Sequence, residues 1–378
     1  MVFGLLQVSH LFRNIALHTP ELWSRIYVDG RRSHLYPLEL FIERSRLVPL
    51  HVVWDVTPKN LKKDKFGMFK PLFSHQGRWK ELHVRDYRVF LECHKASDGY
   101  SEFPALETLS ILATTLWATT INNINLLKFS PFANITATLI TCRLGCARRI
   151  VFYDVIDFLA NCKVLRHLYL NVECEEFSEA SYRKINLPSL VSFELFILHS
   201  SLYQNEFLRL FHIPNLRNFS ISVQIMDGII PLDYLLDDLE VGDSVRSLTF
   251  DAQNWSGMIV HVAIPLRSIE QHFPNVSELT IKCHSNVTMT QFRACCMPAL
   301  CTLTIFREWG DKGDDLEDLL VFLRNRETSN RISVECKPLK LRISKNERIE
   351  SAESIKKAVS DGLLVLESDL AHVYPTLF

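Results

Sequence analysis

One hydrophobic phrase, apolar-x-x-apolar-x-apolar, recurs along the chain. It reads WKELHV (79–84), LETLSI (106–111), LRHLYL (165–170), LVSFEL (190–195), LRNFSI (216–221), VRSLTF (245–250), VSELTI (276–281) and LCTLTI (300–305). A weaker copy, TATLIT (136–141), fills the one gap. The end of each phrase alternates with period two, which predicts a strand. The middle apolar residues face one way, into a core. The residues between them face the other way: Glu81 and His83, Thr108 and Ser110, His167 and Tyr169, Ser192 and Glu194. The set continues with Asn218 and Ser220, Ser247 and Thr249, Glu278 and Thr280, Thr302 and Thr304. All are polar or amphipathic. A parallel sheet covered on both sides would be apolar throughout, so this one leaves a face in water.

The segments between strands carry helical spacing: DVIDFLANC (154–162), EFLRLFHI (206–213), PLDYLLDDL (231–239), PLRSIEQHF (265–273) and DDLEDLLVFLRN (314–325). Five phrases follow a Pro-x pair, at Pro104, Pro188, Pro214, Pro274 and Pro298. Proline cannot continue a helix, so each marks where a helix has ended and a strand begins.

The middle residues fall at 82, 109, 139, 168, 193, 219, 248, 279 and 303, in steps of 24 to 31 residues. That period overlaps the 20–29 residues of leucine-rich repeats. The expected fold is α/β, an irregular leucine-rich-repeat-like solenoid whose curved parallel sheet carries helices on its outer face. The position that holds Asn or Cys in the usual repeat is occupied by Thr114, Glu173, Leu198, Gln224, Gln253, His284 and Glu308, so no asparagine ladder is expected there. The run 350–370 predicts one further helix, with Ile355, Val359, Leu363 and Leu366 on one side, capping the last repeat.

Composition removes several functions. Gly numbers 12 in 378 residues, and no two are separated by a single residue. That removes the G-x-G-x-x-G loop, and neither G-x-x-x-x-G-K-[ST] nor G-x-S-x-G occurs in the sequence. The net charge of −1 lacks the excess Lys and Arg of a nucleic-acid or membrane-surface protein. No stretch of about 18 apolar residues runs without a charge. MVFGLLQVSH has no basic n-region, so a reducing cytoplasmic or nuclear setting and buried thiols are expected for the ten cysteines. Cys142 with Cys146, and Cys295 with Cys296, lack zinc spacing. Adjacent Cys283 and His284 face opposite sides of a strand, and EWGDKGDD (308–315) lacks calcium-loop spacing. No catalytic residues, cofactor or metal are expected, and the chain reads as a non-enzyme. Five N-x-[ST] triplets, at Asn134, Asn218, Asn254, Asn275 and Asn286, read as chance.

At the N-terminus, Val8, Leu11, Phe12 and Ile15 make one apolar stripe of a short helix, followed by Thr19-Pro20 and the knob Leu22-Trp23. QVSHLFRNIALHTPELWSRI (7–26) resembles the last third of the F-box in a large fungal F-box family. The match falls on Gln7, Val8, Arg13, Ile15, Ala16, Thr19, Pro20, Leu22, Trp23, Ser24 and Ile26, with Ser9 and Phe12 in place of the usual Cys and Trp. LELFIERSRLVPLHVVW (38–54), HQGRWKELHV (75–84) and FPALETLSI (103–111) resemble later phrases of the same family.

The resemblance implies the substrate receptor of an SCF-type cullin–RING ubiquitin ligase. Such a receptor docks on the Skp adaptor and holds a target protein, raising its effective concentration at the ligase. The alternative is a protein-binding scaffold without adaptor docking. Only six residues precede Gln7, so the F-box is read as N-terminally truncated and its apolar stripe as partly uncovered. The expected organisation is an F-box remnant over 1–30, a solenoid over 31–345 and a helical cap over 346–378. Val8, Leu11, Phe12, Ile15, Leu22 and Trp23 are the adaptor-facing or F-box-packing candidates. His83, His167, Tyr169, Glu194 and Asn218 are the target-binding candidates.

Overall fold

The computed structural model describes residues 7, 9–30, 35–57, 63–97, 102–112, 130–145, 152–173, 184–198, 208–225, 240–241, 243–254, 262–263, 266–283, 287–288, 295, 297–307, 319–326, 328, 339–343, 353–360 and 364–367. The fold is α/β, in two compact units, Met1–Glu173 and Cys174–Phe378.

The first unit holds six parallel strands in chain order: β1 (Arg25–Val28), β2 (Leu50–Trp54), β3 (Trp79–Val84), β4 (Thr108–Leu112), β5 (Thr141–Gly145) and β6 (His167–Glu173). Ile26, Val52, Leu82, Leu109, Cys142 and Leu168 line up across them, and all are buried. Helix α1 (His10–His18) precedes β1, with Ser9 as its N-cap accepting from the Phe12 N–H at 3.2 Å. Helices α2 (Leu35–Arg44), α3 (Lys70–Phe73), α4 (Tyr87–Ala96) and α5 (Phe152–Asn161) fall between later strands, with 3₁₀ segments at Lys63–Phe69 and Ser130–Ala137.

The core of this unit is aromatic. Trp54 meets Phe69 edge-on at 4.6 Å and Phe90 at 5.6 Å, Trp79 meets Phe103 at 5.4 Å, and Phe90 stacks on Phe132 at 6.2 Å.

Two expectations change here. The weak copy TATLIT is out of step: Leu109 pairs with Cys142, so the repeat is LITCRL (139–144) and its middle residue is the cysteine. A thiol behaves as a small apolar group in a core, which is why it fits the ladder. Within the span expected as an F-box remnant, residues 25–28 also join the sheet. Trp23, Ile26 and Val28 form another copy of the phrase, and β1 pairs in parallel with β2.

The second unit repeats the plan with seven parallel strands: β8 (Ser192–Leu198), β10 (Asn218–Ile225), β12 (Ser247–Asn254), β14 (Glu278–Cys283), β16 (Thr302–Arg307), β17 (Leu339–Ile343) and β18 (Leu364–Glu367). Its ladder runs Phe193, Phe219, Leu248, Leu279, Leu303 and Leu341, all buried. Short strands β7 (Ile185–Asn186), β9 (Phe211–Ile213) and β11 (Glu240–Val241) form a narrow parallel sheet; β13 (Val262–Ala263) pairs with β15 (Val287–Thr288). Helix α6 (Leu266–His272), the helical residues 319–326 and helix α7 (Glu353–Ser360) complete it.

The helices expected over 154–162 and 265–273 form, while 231–239 lies outside the described residues. The one expected over 206–213 ends as strand β9. Phe211 and Ile213 are buried while His212 between them is exposed, a two-residue alternation that no helix produces. The C-terminal helix stops at Ser360, ahead of Gly362, and Leu364–Glu367 adds to the sheet against β17. The segment expected as a helical cap over 346–378 thus contributes a strand.

The five prolines do more than end helices. Each sits second in a four-residue turn whose first carbonyl accepts from the fourth N–H: Phe103–Leu106 at 3.1 Å, Leu187–Leu190 at 3.2 Å, Ile213–Leu216 at 3.4 Å, Phe273–Val276 at 3.1 Å and Met297–Leu300 at 3.0 Å. Proline presets the φ that this turn position requires. The side chains of successive turns then bond upward. Asn215 donates to the Pro188 carbonyl at 2.8 Å, Ser244 to that of Pro214 at 3.0 Å and Asn275 to that of Asp243 at 2.9 Å. A polar ladder therefore exists, at the turns before the strands. The amide of Asn275, one of the five triplets, is used in it.

Candidate functional site

The open face of the first unit gathers the chemistry that the alternation predicts. One row of the register reads Arg25, His51, Glu81, Thr108, Thr141 and His167. The next reads Tyr27, Val53, His83, Ser110, Arg143 and Tyr169. The register brings His83, His167 and Tyr169 onto this one face. It also adds Tyr27, His51 and Arg143, which sequence reasoning missed because β1 and β2 went unrecognised and the β5 copy was read three residues early.

The charges on this face are organised. The His51 ring nitrogen stands 2.9 Å from a Glu81 carboxylate oxygen, an ion-pair distance. His83 lies 4.0 Å from the same oxygen. The carboxyl of Glu81 resists ionisation through partial burial, yet His51, His83 and Arg25 outweigh this and hold it below its ordinary range. His83 is held below the usual imidazole value, first by its own burial and further by Arg143 and His51, with Glu81 opposing. The Arg143 guanidinium lies over the Tyr169 ring at 5.5 Å. At the end of the face Asp55 takes a hydrogen bond from Tyr27 and another from Arg85 at 2.8 Å. Those partners keep its carboxyl below the usual range although burial alone would raise it.

Glu194 and Asn218 lie on the open face of the second unit, and both are exposed. Their surroundings differ. The rows there read Ser192, Asn218, Ser247, Glu278, Thr302 and Lys340, then Glu194, Ser220, Thr249, Thr280, Thr304 and Arg342. Hydroxyls dominate, and Glu194, Glu278, Lys340 and Arg342 are the charges in these two rows.

The N-terminal candidates divide into two groups. Leu11, Phe12 and Ile15 on α1 are 67%, 46% and 48% exposed. Leu22 is half-buried, and Val8 lies outside the described residues. Trp23 is fully buried, and its indole N–H donates to the Ala16 carbonyl at 2.6 Å. Phe41 meets its ring at 5.2 Å and Arg44 covers it at 5.0 Å. Of the two roles expected for Trp23, adaptor-facing or packing, its full burial leaves packing in this structure.

Among the described residues no group of three or more His, Cys, Asp or Glu could hold a metal ion, and no helix is long and apolar enough to cross a membrane. Cys93 and Cys162 are buried thiols, each pushed up to about 12 by burial. No protein-family model and no curated protein matches this chain.

Proposed function

We propose that the chain is a non-catalytic recognition subunit of an SCF-type ubiquitin ligase, docking on the Skp adaptor through α1 and holding a target protein on the open sheet face. The observation that carries this reading is the exposed stripe Leu11, Phe12 and Ile15 on a helix anchored from behind by Trp23 and Ala16. A stable monomer rarely leaves three neighbouring large apolar side chains in water. The sheet face supports the second half of the reading: exposed Tyr and Arg side chains are the usual anchors of protein interfaces.

The test is capture of the full chain by purified Skp adaptor. The wild type is retained. The triple variant Leu11→Ser, Phe12→Ser, Ile15→Ser is lost, with unchanged thermal unfolding. Failure of the wild type to bind overturns the ligase assignment and leaves a protein-binding scaffold. Replacing Trp23 would only unfold the helix anchor, so it is no test of docking.

A further inference from the structure

Helix α4 carries a histidine into the aromatic core. His94 is 3% exposed, and its ring lies among three phenylalanines: Phe73 edge-on at 5.3 Å, Phe103 at 5.7 Å and Phe90 at 6.1 Å, the last two near-parallel. Its Nε2 is buried with no hydrogen-bond partner among the described residues. The same rings support the strands of the open face. Phe73 and Phe90 pack on Trp54 of β2, and Phe103 packs on Trp79 of β3.

We infer that His94 is an acid-sensitive latch: taking up a proton drives the imidazole from its ring pocket and loosens the core behind the open face. A neutral imidazole suits such a pocket as a flat, weakly polar ring. The charged form must bury an N–H that has no acceptor, which is costly. Two attractions oppose this. The faces of Phe90 and Phe103 draw a cation, and so does the last turn of α4, where His94 lies. Neither supplies an acceptor, and burial holds the His94 pKa below the usual imidazole value.

No charged neighbour reverses that sign. On α4 itself Arg88, Glu92 and Lys95 are exposed, Tyr87 is buried, and burial keeps the Cys93 thiol neutral. Lys70 on α3 and Glu102 ahead of Phe103 are exposed. His75 and Arg78, between α3 and β3, are half-buried, and Arg78 is turned to Ser45 and Val48. The charged residues of the 3₁₀ segment Lys63–Phe69 are Lys63, Asp64 and Lys65, and the segment around Phe132 has none. Glu81 and His83 stand on the other side of the sheet.

The folded value of His94 lies below the unfolded one, which is about 6.5. The stability of the pocket is therefore whole above that pH and is lost as pH falls through it toward the folded value. Between about pH 7.5 and about pH 5.5 the opening constant rises by up to about tenfold. Asp55 and Glu81, held below their ordinary range, stay ionised there. His75 and His83 shift in the same direction, but both keep contact with water.

The test follows the full chain over that range by hydrogen exchange read by fragment, each rate corrected for its intrinsic pH dependence, and by NMR titration of the His94 ring. In the wild type, protection within residues 50–106 falls several-fold, up to about tenfold, and the folded His94 ring titrates below the usual imidazole value. His94→Phe fills the ring pocket with nothing to protonate and keeps most of the protection. His75→Gln and His83→Gln still lose most of it. Unchanged protection in the wild type, or an equal loss in His94→Phe, overturns the proposal. So does a folded His94 that titrates at or above the usual value. If His94→Phe fails to fold, the wild-type ring titration decides alone.

Discussion

The two units build the same ladder from different materials. The first packs rings: Trp23, Trp54, Trp79, Phe69, Phe90, Phe103 and Phe132 are all fully buried. The second relies more on aliphatic rows, with Phe193, Phe211, Phe219, Phe273 and Phe322 among its fully buried rings. The open faces diverge too, histidine, arginine and tyrosine in one, serine and threonine in the other. An aromatic core fixes its neighbours by ring geometry as well as area, whereas an aliphatic row depends on close filling. The first unit is therefore the better platform for a face whose charges must hold position.

The largest test removes a keystone from each. Trp54→Ala should cost about 3–5 kcal/mol, and Leu303→Ala, between Leu279 and Leu341, about 2–4 kcal/mol. Hydrogen exchange read by fragment should locate the first loss within residues 25–173 and the second within 192–343. Loss of protection spread evenly over both ranges would break the comparison.

Each unit also carries an arginine staple. Arg78 donates to the Ser45 hydroxyl at 2.9 Å and the Val48 carbonyl at 2.8 Å. Arg326, buried, donates to the carbonyl of Met297 and to that of Leu300 at 2.7 Å. It steadies a turn in which Met297 has a left-handed φ of 38°. Arg326→Met should cost about 1–3 kcal/mol in a denaturant titration, and half-buried Arg78→Met should fall at the lower end of that range.

Two smaller changes refine the picture. The indole N–H of Trp54 is buried without a partner. Trp54→Phe removes that orphan donor along with some volume, so its cost should be only about 1 kcal/mol. A loss as large as for Ala would show that ring size, not ring contact, matters. Asn275→Ala, cutting one rung of the turn ladder, should also cost about 1 kcal/mol. The smallest expected effect is a gain. Arg46, exposed after α2, has φ of 51°, so Arg46→Gly should raise stability by about 0.5–1 kcal/mol in a thermal melt.

Periodicity exposed the middle of each unit and lost its edges. Strand β2 reads Leu50-x-Val52-x-Trp54, one residue short of the phrase, because the register shifts between Leu50 and His51. In β17 Pro338 stands where the phrase opens with an apolar residue, and in β18 Ser368 stands where it closes with one. The resemblance phrases were legible for another reason. Trp23 lies under Arg44, the adjacent Ser45 accepts from Arg78, and Arg78 adjoins Trp79. The residues that made those phrases recognisable are largely the ones that staple α1, α2 and β3 together.

The spacing between strands varies widely while the ladder stays in step, as Phe193, Phe219, Leu248, Leu279 and Leu303 show. Length is thus absorbed mainly in the connections; β3 takes up one extra residue, Lys80, in a register shift against β2. Gain or loss of a whole strand-plus-connection would lengthen or shorten the array and keep every outward residue outward. Inserting a single residue inside a strand would turn its outward residues inward. Change in this architecture is therefore easiest in whole modules, and an extra residue inside a strand must be taken up at once by a bulge, as at Lys80.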